Sequence, residues 1–305
     1  MPGARLHFEL RGGGPLVALV GAPMGAEAFA PLADLLASDY TVLTADPRGI
    51  GRSRVDDADA DSTPQLRAAD LARLIEHADA GPAAVLGSSG GAVTALALAQ
   101  DHPRSAYAIV AHEPPLVDLL QDRDTLRAGE DDYCATYLAG DAVSAWNKFF
   151  AQANISIPPQ AVQEMFGGQR DPQQVADERF WFAHELRHST RWQPNLALLR
   201  AADVRIVVGI GRESAGQICD RTSRALAGGL RTEPTTFPGN HIGFVDDPET
   251  FAARLRTVLA ITGSQAADPA PNDPEHMTTS NASPAQHALD ASFTVPIRKD
   301  NAFPT

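Results

Sequence analysis

Short apolar runs alternate with longer amphipathic stretches through the first part of the chain. The runs are rich in Val, Leu, Ile and Ala, and they are Leu16–Val20, Thr41–Ala45, Ala83–Leu86 and Ala106–Ala111. Such runs are typical of strands that are buried on both faces. The stretches with apolar residues at helical spacing are Ala28–Ser38, Thr63–Ala78 and Gly91–Asp101. This alternation predicts an α/β fold, with a mostly parallel sheet and helices on both of its faces.

The alternation stops at about Val117 and resumes at Val204. Residues 117–203 are helical and polar in pattern, which predicts a helical cap inserted into the sheet domain. The later segments predict strand, helix, strand and helix in turn: Val204–Ile210, Gln217–Leu226, Leu230–Phe237 and Pro248–Leu259. We therefore expect a discontinuous core of residues 1–116 and 204–263. Residues 264–305, rich in Pro, Ala, Asn, Asp and Ser, predict a disordered tail.

Composition changes this picture mainly by exclusion. The 38 acidic and 25 basic residues give a net charge of −13, which disfavours nucleic acid and anionic membranes as partners. No apolar stretch is long enough for a membrane span, and the start lacks the pattern of a secretory signal. The only cysteines are Cys134 and Cys219, so we expect no disulfide framework and a cytoplasmic location. A small molecule is the expected partner, and a homodimer stays an open alternative.

The pentapeptide Gly87–Gly91 (Gly-Ser-Ser-Gly-Gly) follows the predicted strand Ala83–Leu86 and begins a predicted helix. It fits the pattern G-x-S-x-G, in the strand–turn–helix setting of a nucleophile elbow. The flanking glycines let the chain turn sharply and leave the Ser89 hydroxyl exposed, while the N–H of Gly90 can face a developing oxyanion. Ser89 is therefore the candidate nucleophile, and the alternative is an ordinary Gly-Ser turn.

A serine needs a base in order to act as a nucleophile. His241 ends the segment Phe237–His241 (Phe-Pro-Gly-Asn-His), which lies between the last predicted strand and the last predicted helix. This position places His241 on a loop at the carboxyl edge of the sheet, where catalytic groups of open α/β sheets collect. His241 is the candidate base, and the alternative is a solvent-exposed loop histidine.

Four segments, taken in order, resemble the α/β-hydrolase fold superfamily: Leu19–Pro23, Asp46–Ser53, the elbow and the His241 loop. The resemblance covers residues 6–116 and 204–262, with the predicted cap between them. It implies a serine hydrolase with a catalytic triad that needs neither a cofactor nor a metal ion.

The same resemblance implies the remaining groups of the site. The N–H of Ala22 is the expected second oxyanion donor, because the proline that follows it has no N–H. The superfamily usually places its acid about three residues after the glycine that ends the strand before the last one. That residue here is Ser214, which cannot orient an imidazolium. Glu113, at the end of the strand next to the elbow strand, is the preferred acid, and Glu213 is the alternative. With its acid at Glu113, before the cap, the chain resembles the zearalenone lactonase-type hydrolases. Cofactor-free quinolone dioxygenases also carry an acid at this place.

Three other patterns suggest different chemistry. His184–His188 (His-Glu-Leu-Arg-His) matches the H-E-x-x-H zinc helix, but Arg187 places a cation inside the motif, and we predict a polar helix face instead. Gly209–Gly211 begins a dinucleotide fingerprint whose third glycine is replaced by Ser214, so no NAD site is expected. The glycine run Gly12–Gly14 precedes a strand, whereas a phosphate-binding loop follows one, so we predict a hairpin turn there.

These features predict hydrolysis of a carboxylic ester or lactone of a small apolar molecule through an acyl-enzyme on Ser89. The candidate residues of an apolar, aromatic pocket are Met24, Phe29, Trp146, Trp181 and Trp192. Two other functions stay open. One is a cofactor-free oxygenase, in which His241 deprotonates the substrate and Ser89 only binds it. The other is a small-molecule receptor without catalysis.

Overall fold

The computed structural model of the chain describes residues 3–264. Its strands are β1 (Ala4–Arg5), β2 (Phe8–Gly12), β3 (Leu16–Val20), β4 (Thr41–Ala45), β5 (Arg54–Val55), β6 (Ala83–Ser88), β7 (Ala106–His112), β8 (Arg205–Gly211) and β9 (Thr235–Phe237). Its α-helices are α1 (Ala26–Leu36), α2 (Pro64–Ala78), α3 (Gly90–Asp101), α4 (Arg123–Leu138), α5 (Ala142–Ala153), α6 (Pro159–Phe166), α7 (Pro172–Phe180), α8 (Leu186–Thr190), α9 (Leu196–Ala201), α10 (Ile218–Leu230), α11 (Gly243–Asp246) and α12 (Pro248–Ser264). The predicted tail, apart from its first residue, lies outside the described residues.

A seven-stranded sheet with the order β2-β4-β3-β6-β7-β8-β9 forms the centre of the fold. All neighbouring strands are parallel except β2, which pairs antiparallel with β4. Successive residues of β3 enter two different cores: Leu16 packs with α2 and α3 on one face, and Val17 packs with α1 and α12 on the other. Both faces of the sheet are therefore covered by helices, as the apolar strand runs predict, and the α/β fold class is confirmed.

Two local predictions are wrong. The strand predicted over Leu230–Phe237 is shorter and consists of β9 alone, because α10 continues to Leu230. Leu230 lies four residues after the buried Leu226, on the same face of the helix, and packs against the same core. The turn at Gly12–Gly14 does not form a hairpin. It joins β2 to β3, which are not hydrogen-bonded neighbours, because β4 lies between them.

Helices α4–α9 lie between β7 and β8, in the segment where the sequence predicts a cap. They contain an aromatic cluster of their own, which includes Tyr133, Trp181 and Phe182. The carboxylate of Asp177 accepts a hydrogen bond from the N–H of Gly51 at 3.0 Å, which ties α7 to the loop after β4. None of the helices in the described part of the chain has the length and apolar character needed to cross a bilayer.

Close packing between β3 and α3 depends on Gly91. A Cβ atom on Gly91 would lie 2.1 Å from the carbonyl oxygen of Val20, which is part of the rigid central sheet. We expect Gly91→Ala to lower the free energy of unfolding by at least about 2 kcal/mol, because strand and helix must separate. Gly228→Ala in α10 is the matched control. Nothing lies within 4 Å of its new Cβ, so it should stabilise the protein by about 0.5–1 kcal/mol. Urea denaturation measures both effects, and equal values for the two variants would contradict this account.

Candidate active site

Ser89 is the residue between β6 and α3. Its backbone has φ 57° and ψ −125°, a conformation that costs a residue with a side chain on the order of 1–3 kcal/mol. The N–H of Ser89 donates to the carbonyl oxygen of His112 at 2.9 Å, which holds the turn against β7. A Cβ atom on Gly87 would lie 2.3 Å from the carbonyl oxygen of Gly91, so the two motif glycines are needed where strand and helix touch. The elbow thus has the strained backbone and close packing that its motif predicts.

The two predicted oxyanion residues lie against each other. A Cβ atom on Gly90 would be 2.6 Å from the carbonyl oxygen of Ala22, so the start of α3 contacts the loop after β3. Gly90 is the first residue of α3, and its N–H therefore has no acceptor within the helix. The side chain of Asp46 supports the same loop by accepting from the N–H of Ala26 at 2.8 Å and from that of Arg52 at 2.9 Å.

Glu113 directly follows β7 and is fully buried. Like Ser89, it has a positive φ, here 53°, so both residues are held in a strained conformation at the ends of neighbouring strands. The Oε1 atom of Glu113 accepts from the N–H of Gly211 at 2.8 Å, and its Oε2 atom lies 2.6 Å from Nδ1 of His241. The carboxylate is thus oriented from one side by the backbone and pairs on the other side with the imidazole.

This contact shifts the pKa values of both partners. Burial alone would raise the pKa of Glu113, but the hydrogen bond and charge of His241 outweigh burial and lower that pKa to about 2. Burial also acts to lower the pKa of His241, but Cys219 and then Glu113 outweigh it and hold that pKa well above its ordinary value. Burial lowers the pKa of the neighbouring His112 to about 4, so His112 is neutral, and it packs edge-on against the rings of Phe237 and Phe251.

Strand register brings Ser89 and His241 to the same edge of the sheet. Ser88 pairs with His112 across β6 and β7, which makes the residues that follow them, Ser89 and Glu113, neighbours. The side chains of Ser89 and His241 are not hydrogen-bonded to each other, since Ser89 Oγ makes no hydrogen bond with any described residue. The imidazole of His241 is 24% exposed. In ligand-free enzymes, the hydrogen bond between nucleophile and base is often long or absent, and it tightens when substrate binds.

The alternative acid, Glu213, is in a different environment. Its side chain is exposed and forms no ion pair with a described residue, while its backbone N–H donates to the carbonyl oxygen of Gly239 at 3.0 Å. The adjacent Ser214 is fully buried. Its hydroxyl makes no hydrogen bond of good geometry, and it contributes only weakly to the low pKa of Glu113. Of the two candidate acids, the structure therefore brings only Glu113 to His241.

The predicted pocket residues do not lie together in one place. Phe29 is fully buried and stacks on Phe244, with ring centroids 4.6 Å apart, so it has no surface for a ligand. Trp192 is also buried, in the core between the sheet and its helices. Trp146 and Trp181 stack on each other within the aromatic cluster of α4–α9. Met24 is half-buried in the loop after β3 that also contains Ala22.

The H-E-x-x-H segment spans two kinds of helix. A short π-helical turn covers Trp181–Glu185, and α8 begins at the next residue. His184 and His188 both contact the carboxylate of Asp61, at 3.2 and 3.0 Å. Glu185 is instead buried at 3.8 Å from Arg67. The histidines thus connect this segment to the core through an aspartate, and the glutamate does not face them as a catalytic base would.

Cys219 is a residue of the site that sequence reasoning missed. Its sulfur lies within 4.8 Å of a Glu113 carboxylate oxygen and of a His241 ring nitrogen. The sequence carried no signal for this contact, because a lone cysteine at the start of a predicted helix has no motif around it. Cys134, by contrast, is buried in the aromatic cluster of α4–α9.

Comparison with known proteins agrees with the fold. A model of the alpha/beta hydrolase family matches residues 16–254. The uncharacterized hydrolase YraK of Bacillus subtilis is 28% identical in an alignment of 272 positions that covers 85% of this chain and 94% of YraK. An alpha/beta hydrolase from Sphaerobacter thermophilus has 24% identity and a TM-score of 0.61, over 86% of this chain and 97% of that one. An esterase from Exiguobacterium antarcticum has 18% identity and a TM-score of 0.65, over 85% and 97%. Since the family match covers well over half of its length, the chain belongs to the alpha/beta hydrolase family.

Proposed function

We propose that this hydrolase cleaves carboxylic esters or lactones of small apolar molecules through an acyl-enzyme on Ser89. The observation that carries the proposal is the contact of 2.6 Å between His241 and Glu113, beside a strained Ser89 at the end of the neighbouring strand. A nucleophile, a base and an acid that orients the base are the three parts of an acyl-transfer triad.

The reaction begins when Ser89 Oγ attacks the substrate carbonyl and gives its proton to Nε2 of His241. Glu113 holds the Nδ1 proton of the ring and stabilises the imidazolium that forms. The N–H groups of Ala22 and Gly90 donate to the oxyanion of the tetrahedral intermediate. His241 then protonates the leaving alcohol, and a water molecule activated by the same imidazole releases the acyl group.

The choice of an apolar substrate rests on Met24 and on the aromatic character of the inserted helices. Met24 is half-buried in the same loop as Ala22. The aromatic cluster with Trp146 and Trp181 belongs to the inserted helices, and α7 of these helices is hydrogen-bonded through Asp177 to the loop after β4. Apolar and aromatic walls with a few polar groups are the usual lining of a small-molecule site. The net charge of −13 then favours solubility rather than substrate recognition.

Steady-state and rapid-mixing assays with p-nitrophenyl acetate and butyrate test the proposal. We expect turnover with an initial burst of about one nitrophenolate per active site, because acylation precedes slower deacylation. The rates should be the same in air and under nitrogen, whereas a cofactor-free oxygenase would consume oxygen. A parallel series of alkyl and aryl lactones, followed with a pH indicator, then separates lactonase from esterase preference. Lack of turnover on every ester and lactone would refute the proposal.

A further inference from the structure

Cys219 faces the pair of Glu113 and His241 from a third side. It is the second residue of α10, is half-buried, and is a free thiol. Its Sγ atom, a carboxylate oxygen of Glu113 and a ring nitrogen of His241 all lie within 4.8 Å of one another. No step of the proposed reaction uses this thiol, so the cluster needs a separate explanation.

Sulfur, nitrogen and oxygen donors together form a ligand set for a thiolate-preferring cation. Zn²⁺ binds sulfur at about 2.3 Å and nitrogen or oxygen at about 2.0–2.2 Å, so two ligands of a tetrahedral ion lie about 3.5 Å apart. Oε2 of Glu113 and Nδ1 of His241 are 2.6 Å apart, and the three candidate ligand atoms lie within 4.8 Å of one another, so the observed separations bracket that value. Mg²⁺ and Ca²⁺ prefer six or more oxygen ligands, which this cluster does not provide.

The surroundings suit a bound cation in two further ways. The N–H of Gly211 already holds Oε1 of Glu113 at 2.8 Å, which leaves Oε2 to bind and fixes the carboxylate as an outer hydrogen bond does in metal sites. A thiolate and a carboxylate together carry the two negative charges that a divalent cation neutralises. With three protein ligands, a fourth position stays open for water.

We propose that Glu113, Cys219 and His241 form an inhibitory site for a thiolate-preferring divalent cation such as Zn²⁺. The inhibitory part rests on the proposed function, because the ion occupies a nitrogen that the triad needs. If it binds Nε2, it blocks the acceptor of the Ser89 proton directly. If it binds Nδ1, it replaces the proton held by Glu113, and the ring then carries its proton on Nε2, which again cannot accept one. A bound ion and a working triad therefore exclude each other, and removing the ion restores the enzyme.

Titration with Co²⁺ tests the site without depending on catalysis. We expect the wild-type protein to bind one Co²⁺ and to show a thiolate-to-cobalt charge-transfer band. The Ser89→Ala variant should show the same band, so an error in the proposed function would not affect this result. Cys219→Ser should lack the band, while Cys134→Ser, which changes the other cysteine, should keep it. The same band in Cys219→Ser, or no saturable band in the wild type, would overturn the site.

Measuring how Zn²⁺ affects ester hydrolysis tests the second part of the proposal, that the bound ion inhibits the enzyme. For each variant we compare the rate with Zn²⁺ to its own rate without the ion, so that differences in basal activity cancel. The Zn²⁺ concentration for half inhibition should be at least about tenfold higher for Cys219→Ser than for Cys134→Ser and the wild type. A chelator should restore the wild-type rate. Cobalt binding at Cys219 combined with full activity in saturating Zn²⁺ would show that the site is not inhibitory.

Discussion

Replacing Ser89 with alanine is expected to reduce kcat for ester hydrolysis by about 10⁴–10⁶-fold. Alanine cannot form the acyl-enzyme, so only the oxyanion donors and substrate binding remain to lower the barrier. The burst of nitrophenolate should disappear as well. Steady-state kinetics with a chromogenic ester measure the loss, and circular dichroism checks that the variant is folded.

Ser88→Ala provides the matched control for this substitution. Ser88 is the neighbouring serine, is fully buried, and its hydroxyl lies 3.3 Å from Nδ1 of His112 rather than in the triad. We expect its activity to change by less than about tenfold, since one buried hydrogen bond is lost. If Ser89→Ala kept the rate of Ser88→Ala, Ser89 would not be the nucleophile, and a mechanism with His241 as a base alone would be favoured.

Glu113→Gln is expected to lower kcat by about 10³–10⁴-fold while the protein stays folded. The amide is nearly the same size as the carboxylate, but it cannot stabilise an imidazolium and allows the wrong tautomer of His241. Glu213→Gln is the control, because Glu213 is exposed and has no ion pair with a described residue. It should stay within about twofold of the wild type. A large loss in Glu213→Gln with none in Glu113→Gln would reverse the assignment of the acid.

Glu113→Gln and Glu213→Gln should also differ in how kcat/KM depends on pH. His241 must be neutral to accept a proton, and its raised pKa keeps it protonated until the pH exceeds that value. In the wild type, kcat/KM should therefore decrease as the pH is lowered, with a midpoint well above 6.5, the ordinary histidine pKa. Glu113→Gln removes a stabilising charge, so this limb should move to lower pH, while Glu213→Gln should leave it in place. Rates measured between about pH 5 and about pH 10 show both effects.

Much of the fold could be predicted because its signals are local. The run Thr41–Ala45 coincides with β4, since a strand buried on both faces must be apolar throughout. Thr63 caps α2 by accepting from the N–H of Leu66, ahead of a proline in the first turn, and both residue types are local signals for the start of a helix. Prediction failed at Leu230, where the same apolar residue suits a strand or the end of a helix, and only the core beside it decides between the two.

Parts of the candidate site were less predictable because they depend on distant contacts. Ser89 has a motif, and His241 has a position relative to two elements. The acid has no motif, and its choice between Glu113 and Glu213 depends on which side chain points toward the imidazole. Likewise, nothing local marks Phe29 as core rather than pocket, since an aromatic residue suits both environments.

The sequence by itself determined the α/β class, the elbow and the histidine loop, because hydrophobic period, capping residues and glycine positions act within a few residues of chain. Only the tertiary structure decided that Glu113 meets His241, a contact between residues 128 positions apart. It also decided that Cys219 lies beside both of them. Such contacts follow from strand order and register, which place the ends of β7, β8 and β9 side by side, and no local pattern encodes that arrangement.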